Sequence, residues 1–170
     1  MALAKTVYLS LGSNLGDRRA NLARALELLS ESGVRVLRAS SIFETEPMYL
    51  AAQPRFFNQI VEAETTLFPR QLLSATRGVE KAVGRTPGKR NGPRVIDIDI
   101  VLYAKSVVNL PGLAIPHPRM AERRFVLEPL AELTPDLRHP VTRRTVREML
   151  AEVMDQAVRK TAAPDVSPGI

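Results

Sequence analysis

Two aspartates, Asp97 and Asp99, stand two residues apart in the apolar stretch VIDIDIVLY at 95–103. Side chains on a strand alternate between faces, so both carboxylates point the same way, with their Cα atoms roughly 6.6 Å apart. Carboxylate oxygens are the ligands that Mg²⁺ prefers, and two such ions between paired carboxylates can bridge phosphate oxygens. The alternative is a water-exposed sheet face, which is the commoner explanation of an isolated D-x-D pair. The other face of the strand, which we expect in the core, carries Ile96, Ile98, Ile100 and Leu102.

Basic side chains precede the two aspartates. Arg85, Lys89, Arg90 and Arg94 lie within fifteen residues upstream. Guanidinium groups bind phosphate oxygens two at a time, and cations beside a metal site are what phosphoryl transfer requires. The alternative is a solvated basic loop whose surface ion pairs contribute little. A solvated basic loop does not explain why the basic residues occur next to the acidic pair, so this alternative is weaker for the two features together.

A histidine between two prolines is the third candidate. His117 is held between Pro116 and Pro118, and Arg123 follows six residues later. A fixed imidazole and a guanidinium can donate to phosphate or to a leaving oxygen, although a turn histidine without a role remains the alternative. The sequence contains neither a G-x-x-x-x-G-K-[ST] loop nor a G-x-G-x-x-G turn, so any ATP site must be built differently.

The order of elements that must position these residues is β-α-β-β-α-β. This order predicts an α+β, ferredoxin-like antiparallel sheet with helices packed on one face, and extra C-terminal helices. We expect a single domain over 1–160 and a disordered tail over 161–170. The predicted strands are Thr6–Leu11, 34–43, 56–67 and 95–103; the predicted helices run from a cap at Asp17 to Gly33, from Pro69 to Gly84, over 124–133 and over about 143–158.

Composition limits the possible classes of protein. The chain has 170 residues, a net charge of +6 and no cysteine, which excludes disulfides and thiolate metal sites. No apolar stretch is long enough to span a membrane and the N-terminus lacks a signal peptide pattern, so we expect a cytoplasmic protein. The positive charge favours an anionic partner, but only 5% of residues are aromatic, which disfavours base stacking. We therefore predict small-molecule ligands, with no nucleic acid, no membrane and no obligate protein partner.

Several segments together resemble one family, the 6-hydroxymethyl-7,8-dihydropterin pyrophosphokinases of folate biosynthesis. They are YLSLGSNLGDR (8–18), FETEP (43–47), FFNQIV (56–61), RNGPRVIDIDIVLY (90–103) and IPHPRMAERRFVLEPLAEL (115–133). The resemblance implies a ferredoxin-like α+β fold. It also implies transfer of pyrophosphate from ATP to the pterin hydroxymethyl group, release of AMP, and two Mg²⁺ ions.

The resemblance also implies roles for individual residues. Asp97 and Asp99 would hold both metals and, with Arg85 and Arg94, carry the chemistry. The nucleotide would be bound by Arg77, Glu80, Arg85, Arg90, Arg94, Ile100, His117 and Arg123. The pterin would be bound by Thr45, Glu46, Met48, Phe56, Asn58 and Phe125, with the two phenylalanines on either side of its ring.

Three other functions stay open at this point. A basic ferredoxin-like module could bind RNA, but the RNP1-like aromatic pattern of such modules is missing. A metal-dependent nuclease could use Asp97 and Asp99 on nucleic acid. A degenerate homologue could have lost catalysis, although both aspartates and the main arginines are retained.

Overall fold

The protein is described here from a computed structural model, which covers residues 3–46, 53–86, 88 and 93–161. The strands in these ranges are β1 (Lys5–Ser13), β2 (Val34–Ala39), β3 (Phe43–Thr45), β4 (Phe56–Thr65), β5 (Asp97–Tyr103), β6 (Val108–Leu110), β7 (Leu113–Ile115) and β8 (Val158–Lys160). The helices are α1 (Arg18–Glu31), α2 (Pro69–Val83), α3 (Arg124–Leu133) and α4 (Val146–Ala151), with one 3₁₀ turn at Met120–Glu122.

The main sheet is antiparallel at every pairing among the described residues. Its order is β5-β1-β4-β3-β8, and β2 also pairs with β4 beside β3. β6 and β7 form a separate hairpin. The ferredoxin-like α+β fold predicted from the order of elements is confirmed.

The two faces of the sheet are covered by different helices. α1 and α2 pack on the face that we call the first face, where Leu22, Leu29 and Leu72 are fully buried. α3 and α4 pack on the second face, where Leu127 and Met149 are buried. The rest of the second face carries polar side chains, which are described below.

α1 begins where its sequence predicts. Asp17 is its N-cap, and a carboxylate oxygen of Asp17 accepts a hydrogen bond from the Ala20 N–H at 3.1 Å. Such a cap satisfies one of the amide groups that a helix leaves unpaired at its start. The apolar residues of α1 at helical spacing, Leu22, Ala25 and Leu29, then face the sheet.

The predicted strand 34–43 is wrong as a single element, because the structure divides it into β2 and β3. At the break, the Ser40 hydroxyl accepts the Ile60 N–H at 2.9 Å, and the Ser40 N–H donates to the Ile60 carbonyl at 2.8 Å. The Ser40 hydroxyl therefore takes the place of a backbone carbonyl as the acceptor for the Ile60 N–H of β4. Both β2 and β3 still pair with β4 on either side of this interruption.

The predicted helix over about 143–158 is also wrong, because α4 is shorter. It starts at Val146, where the Thr145 hydroxyl caps the Glu148 N–H at 3.1 Å. After Ala151 the chain turns back to the sheet, and β8 pairs with β3. The predicted disordered tail covers 161–170. Its first residue, Thr161, donates its N–H to the Ile42 carbonyl, and 162–170 lie outside the described residues.

β5 contains a β-bulge that the sequence does not indicate. Tyr8 lies opposite Leu102 whereas Leu9 lies opposite Ile100, so Val101 is an extra residue on β5. Ile98 and Ile100 are buried in the first core cluster, but Leu102 is buried with Tyr8 in the second. The prediction that Leu102 shares the face of the other apolar residues is therefore wrong, because the bulge changes the alternation.

Candidate active site

The register of three central strands builds one row of residues across the second face. Gly12 of β1 lies opposite Asn58 of β4 on one side and opposite Asp97 of β5 on the other. One step along the same strands, Ser10 lies opposite Asp99. The two aspartates therefore share a continuous surface with Asn58, although they are far from it in sequence.

The polar end of this surface is centred on Asp97. One Arg85 guanidinium nitrogen lies 3.1 Å from a carboxylate oxygen of Asp97 and 2.7 Å from one of Glu80. Glu80 is buried, and the same oxygen accepts the Ile98 N–H at 2.8 Å. Burial raises the pKa of Glu80, and its hydrogen bond from Ile98 together with the nearby Arg85 charge opposes that rise. Glu80 thus fixes the start of β5 and orients Arg85.

Asp99 lies beside Asp97 on the same face of β5. Burial of its carboxyl, followed by the negative charge of Asp97, raises the pKa of Asp99 well above its usual range. The charges of Arg123 and Arg85 oppose that rise. Two carboxylates on one face of a strand are a pair of oxygen donors that suits a hard divalent cation.

A cation held here would need further ligands from outside the chain. Among the described ranges, no group of three or more His, Cys, Asp or Glu side chains is arranged to hold a metal ion. Phosphate oxygens and water are the usual additional ligands of Mg²⁺ at a site with two carboxylates. The donor set therefore suits a metal that arrives with a phosphorylated ligand.

His117 lies close to this charged group. Its backbone N–H donates to the Val101 carbonyl at 2.9 Å, which ties the segment after β7 to the bulge of β5. Burial, then the charge of Arg123, lowers the pKa of His117 to about 4. The His117 Nδ1 accepts the Arg119 N–H at 3.1 Å, so the proton of the neutral ring lies on Nε2.

A cleft of about 420 Å³ opens at the end of α2. Arginine side chains and one buried carboxylate dominate its wall. Its lining includes Arg77, Glu80, Lys81, Arg85, Thr86, Gly88 and Arg94. The structure therefore brings together four of the residues expected to bind the nucleotide, in a space beside Asp97.

The other end of the surface carries the residues expected to bind the pterin. The Asn58 amide nitrogen donates to the Thr45 hydroxyl at 2.6 Å, and both side chains are buried. Phe56 and Phe125 are each half-buried, so part of each ring is accessible. The Arg123 guanidinium carbon lies 5.4 Å from the centre of the Phe125 ring, which connects the aromatic end with the charged end.

Four expected site residues either have restricted contacts or lie outside the described residues. Ile100 is 5% exposed within the first core cluster, so only its main chain is available for a nucleotide contact. Glu46 is exposed and pairs with Arg55 at 3.2 Å. Met48 and Arg90 lie outside the described residues.

Two residues of this site have no assigned role in the sequence interpretation. A Cβ atom on Gly12 would lie 3.2 Å from Asn58 Oδ1 and 3.5 Å from Phe56 Cδ1, so only glycine leaves both side chains undisturbed. Asn14 is buried, and its side chain accepts the Arg94 N–H at 2.7 Å and donates to the Pro54 carbonyl at 3.0 Å. The segment GSN at the end of β1 is the signal for both, because it places glycine and polar residues where an apolar strand ends.

Comparison with known proteins identifies the kind of molecule. A family model described as 7,8-dihydro-6-hydroxymethylpterin-pyrophosphokinase (HPPK) matches residues 8–135. A 2-amino-4-hydroxy-6-hydroxymethyldihydropteridine pyrophosphokinase of Bacillus subtilis is 46% identical over 127 residues, which are 74% of this chain and 76% of that protein.

Longer relatives contain the same unit. The folic acid synthesis protein fol1 of Pneumocystis carinii is 42% identical over 155 residues, covering 91% of this chain but only 21% of the relative. A crystal structure of wild-type HPPK-DHPS from Plasmodium falciparum with pteroate aligns with a TM-score of 0.71 at 15% identity, covering 90% of this chain and 43% of that one. At that identity the likeness supports the fold alone. No helix among the described residues is long and apolar enough to cross a membrane.

Proposed function

The chain belongs to the 7,8-dihydro-6-hydroxymethylpterin-pyrophosphokinase family, and from that membership we propose that it transfers pyrophosphate from ATP to the hydroxymethyl group of 6-hydroxymethyl-7,8-dihydropterin. The products are AMP and the pterin diphosphate, in a step of folate synthesis. The Bacillus subtilis relative, which this chain matches over 76% of its length, carries the corresponding name.

One observation carries this proposal, which is the row of Asp97, Gly12 and Asn58 across β5, β1 and β4. The row joins a surface for metal and phosphate to a surface for a flat polar ring without any intervening element. A transfer between two substrates requires their reacting groups to be held side by side in a near-attack geometry. A sheet face is rigid enough to provide this.

At the pterin end we assign the ring to the space between Phe56 and Phe125. A flat heterocycle is bound well between two aromatic faces, and its amide-like edge needs a few fixed polar partners. Thr45 and Asn58 supply these partners, and their mutual hydrogen bond at 2.6 Å holds both in place before the substrate arrives. Glu46 and Met48 are assigned to the rim of this end.

At the nucleotide end we assign the triphosphate to Arg94, His117 and Arg123, with Arg85 and Arg90 approaching from the loop. The neutral His117 ring donates from Nε2, since its Nδ1 already accepts the Arg119 N–H. A neutral donor adds no charge beside these arginines. Arg77 and Glu80 line the cleft toward the rest of the nucleotide, and Ile100 contributes its main chain.

We assign two Mg²⁺ ions to Asp97 and Asp99. When bound, these ions supply charge neutralisation for the triphosphate and orient its reacting phosphorus. Arg85 contacts one carboxylate oxygen of Asp97 at 3.1 Å. A guanidinium at this distance from Asp97 would lie beside a phosphate held by the metals and would help to neutralise its charge. Glu80 makes the other contact of Arg85 and limits how far the side chain moves.

The direct test mixes the protein with ATP, Mg²⁺ and the hydroxymethyl dihydropterin, and follows phosphorus species by ³¹P NMR. AMP and a pterin diphosphate are the expected products, and chelation of Mg²⁺ with EDTA stops their formation. Formation of ADP, or of AMP at the same rate without the pterin, contradicts the proposal. Cleavage of RNA or DNA with Mg²⁺ and no pterin reaction would instead support the nuclease alternative.

The cytoplasmic location and the lack of an obligate protein partner stay predictions. The Pisum sativum relative, 48% identical over 127 residues, is named as a mitochondrial bifunctional protein. Fractionation of the source cells tests the location, and size-exclusion chromatography with light scattering tests the partner prediction.

A further inference from the structure

Gln156 is the residue that this inference concerns, and it lies far from the active-site residues in sequence. It follows α4, in the segment 154–158 that leads into β8. We call residues 154–158 the strap. The strap contacts the start of α3, where Arg123 is the N-cap and Phe125 lies in the first turn, and then reaches the sheet edge beside Thr45.

The Gln156 side chain bonds to the backbone on both sides of Arg123. Its Oε1 accepts the Arg124 N–H at 2.9 Å, and its Nε2 donates to the Glu122 carbonyl at 2.7 Å. Arg123 is the N-cap residue of α3, and its own side chain makes no cap hydrogen bond. A distant amide therefore provides the cap that the local sequence lacks.

The contact is reciprocal, because Arg124 bonds back to the strap. Its guanidinium donates to the Met154 carbonyl at 3.0 Å and to the Gln156 carbonyl at 2.8 Å. The Arg124 Nε also pairs with Glu128 at 3.0 Å within α3. Gln156 and Arg124 thus form a two-way clamp between the strap and the start of α3.

The strap also ends at the pterin surface. Val158, two residues after Gln156, lies opposite Thr45 in the pairing of β8 with β3. The same short segment therefore contacts the strand that carries Thr45 and the turn that carries Arg123 and Phe125. No other described element pairs with β3 on that side.

We propose that Gln156 is a positioning residue, which sets the backbone of Arg123 and thereby the Arg123 guanidinium at the triphosphate and the Phe125 ring at the pterin. This proposal rests on the proposed function. The physical reason is that the two hydrogen bonds fix the carbonyl before Arg123 and the amide after it. Because the peptide groups on both sides of Arg123 are held, its Cα atom has one defined position, and the side chain extends from that position.

The test compares Gln156→Met, which keeps the length of the side chain and loses both hydrogen bonds, with Gln156→Glu, which keeps the acceptor for Arg124. Asp155→Asn is the matched control, since Asp155 is exposed on the same strap. We expect kcat/KM to fall roughly 10- to 100-fold in Gln156→Met, as small misplacements of binding groups do. The fall should include a higher KM for the pterin. We expect partial rescue in Gln156→Glu and a change within about twofold in the control.

A second measurement needs no activity. Because the Arg123 charge acts on His117, displacement of Arg123 should move the imidazole NMR signals of the ligand-free protein and shift the pKa of His117 upward. Asp155→Asn should leave both unchanged.

The outcomes separate the two proposals. A wild-type protein that forms no AMP contradicts the proposed function, while the NMR comparison still decides the role of Gln156. If Gln156→Met lowers only the melting temperature, with the kinetic constants and the His117 signals unchanged, Gln156 is merely a helix cap and the inference is wrong.

Discussion

At the scale of single residues, the site works by placing unlike charges in a fixed order on one sheet face. Asp97 and Asp99 carry the negative charge, and Arg85 pairs with the first of them. Glu80 is buried beneath and fixes both Arg85 and the start of β5. Asp97, Arg85 and Glu80 are connected by direct contacts, so the effects of substitutions at these three positions are expected to be strongly non-additive.

Asp97→Ala should reduce pyrophosphate transfer by at least roughly 100-fold, the usual loss when a group that stabilises transition-state charge is removed. The melting temperature should change little, because the Asp97 side chain is 40% exposed. Steady-state AMP formation and a thermal melt measure the two effects. Asp136→Ala serves as the control, since Asp136 is 81% exposed in an ion pair with Arg147. Near-normal turnover in Asp97→Ala would remove it from the metal site.

Gly12→Ala should raise the KM for the pterin by roughly tenfold, the effect of about 1.4 kcal/mol of lost binding. The added methyl group would lie 3.2 Å from Asn58 Oδ1 and push the amide away from the position in which we propose that it binds the pterin. Calorimetric titration with the pterin measures the loss. Gly78→Ala is the matched control, because no atom lies within 4 Å of its Cβ position. An unchanged pterin affinity in Gly12→Ala would argue against Asn58 as a pterin ligand.

At the scale of elements, the two faces of the sheet differ, since one faces the apolar core under α1 and α2 and the other carries the proposed site. α1 and α2 cover the first face and supply most of the apolar core there. α3 and the strap complete the site on the second face, and β8 pairs with the strand that carries Thr45. Changes in α1 should therefore affect stability and leave catalysis alone.

Asp17→Ala should lower the free energy of unfolding by about 1 kcal/mol, the usual cost of losing an N-cap. The lost contact is the hydrogen bond from the Ala20 N–H at 3.1 Å. Urea denaturation measures the change, and the kcat of the folded protein should stay constant. Glu31→Ala, at the exposed end of the same helix, is the control. Equal stability of both variants would show that the cap contributes nothing.

At the scale of the whole molecule, the pH dependence of stability reflects buried groups on the second face. Burial lowers the pKa of His117 to about 4, below the ordinary value near 6.5. The unfolded chain therefore takes up this proton before the folded chain does. The contribution to stability is complete above about pH 6.5 and is lost as the pH falls toward 4.

His117 should accordingly contribute a fall in the free energy of unfolding between pH 6.5 and 5. Asp99 acts in the opposite direction over this range, because its raised pKa lets the folded chain take up a proton before the unfolded chain does. His117→Gln should flatten this part of the profile, because glutamine does not titrate. Urea denaturation at several pH values measures both slopes. A contribution from His139 should remain in the variant, since burial also lowers the pKa of His139. Identical slopes in wild type and His117→Gln would contradict the low pKa of His117.

The sequence alone predicted the β-α-β-β-α-β order of the main elements and the candidate residues for the chemistry. Alternating apolar residues, the cap at Asp17 and the glycines after α1 and α2 act over a few residues, so local patterns suffice to predict β1, α1, α2 and α3. The pair Asp97 and Asp99 is also a local signal. The resemblance added residue roles that spacing alone left open.

Only the tertiary structure decided which distant residues meet. The row of Asp97, Gly12 and Asn58 depends on strand register, which is set by pairing between segments about 40 or more residues apart. The bulge at Val101, the break at Ser40 and the early end of α4 depend on partners supplied by other strands. The bonds of Gln156 on both sides of Arg123 have the same origin. Long-range hydrogen bonds of this kind do not change the spacing of apolar residues along the chain. Each partner fits its own helix, strand or loop equally well whether or not the other is present, so the sequence pattern does not reveal the pair.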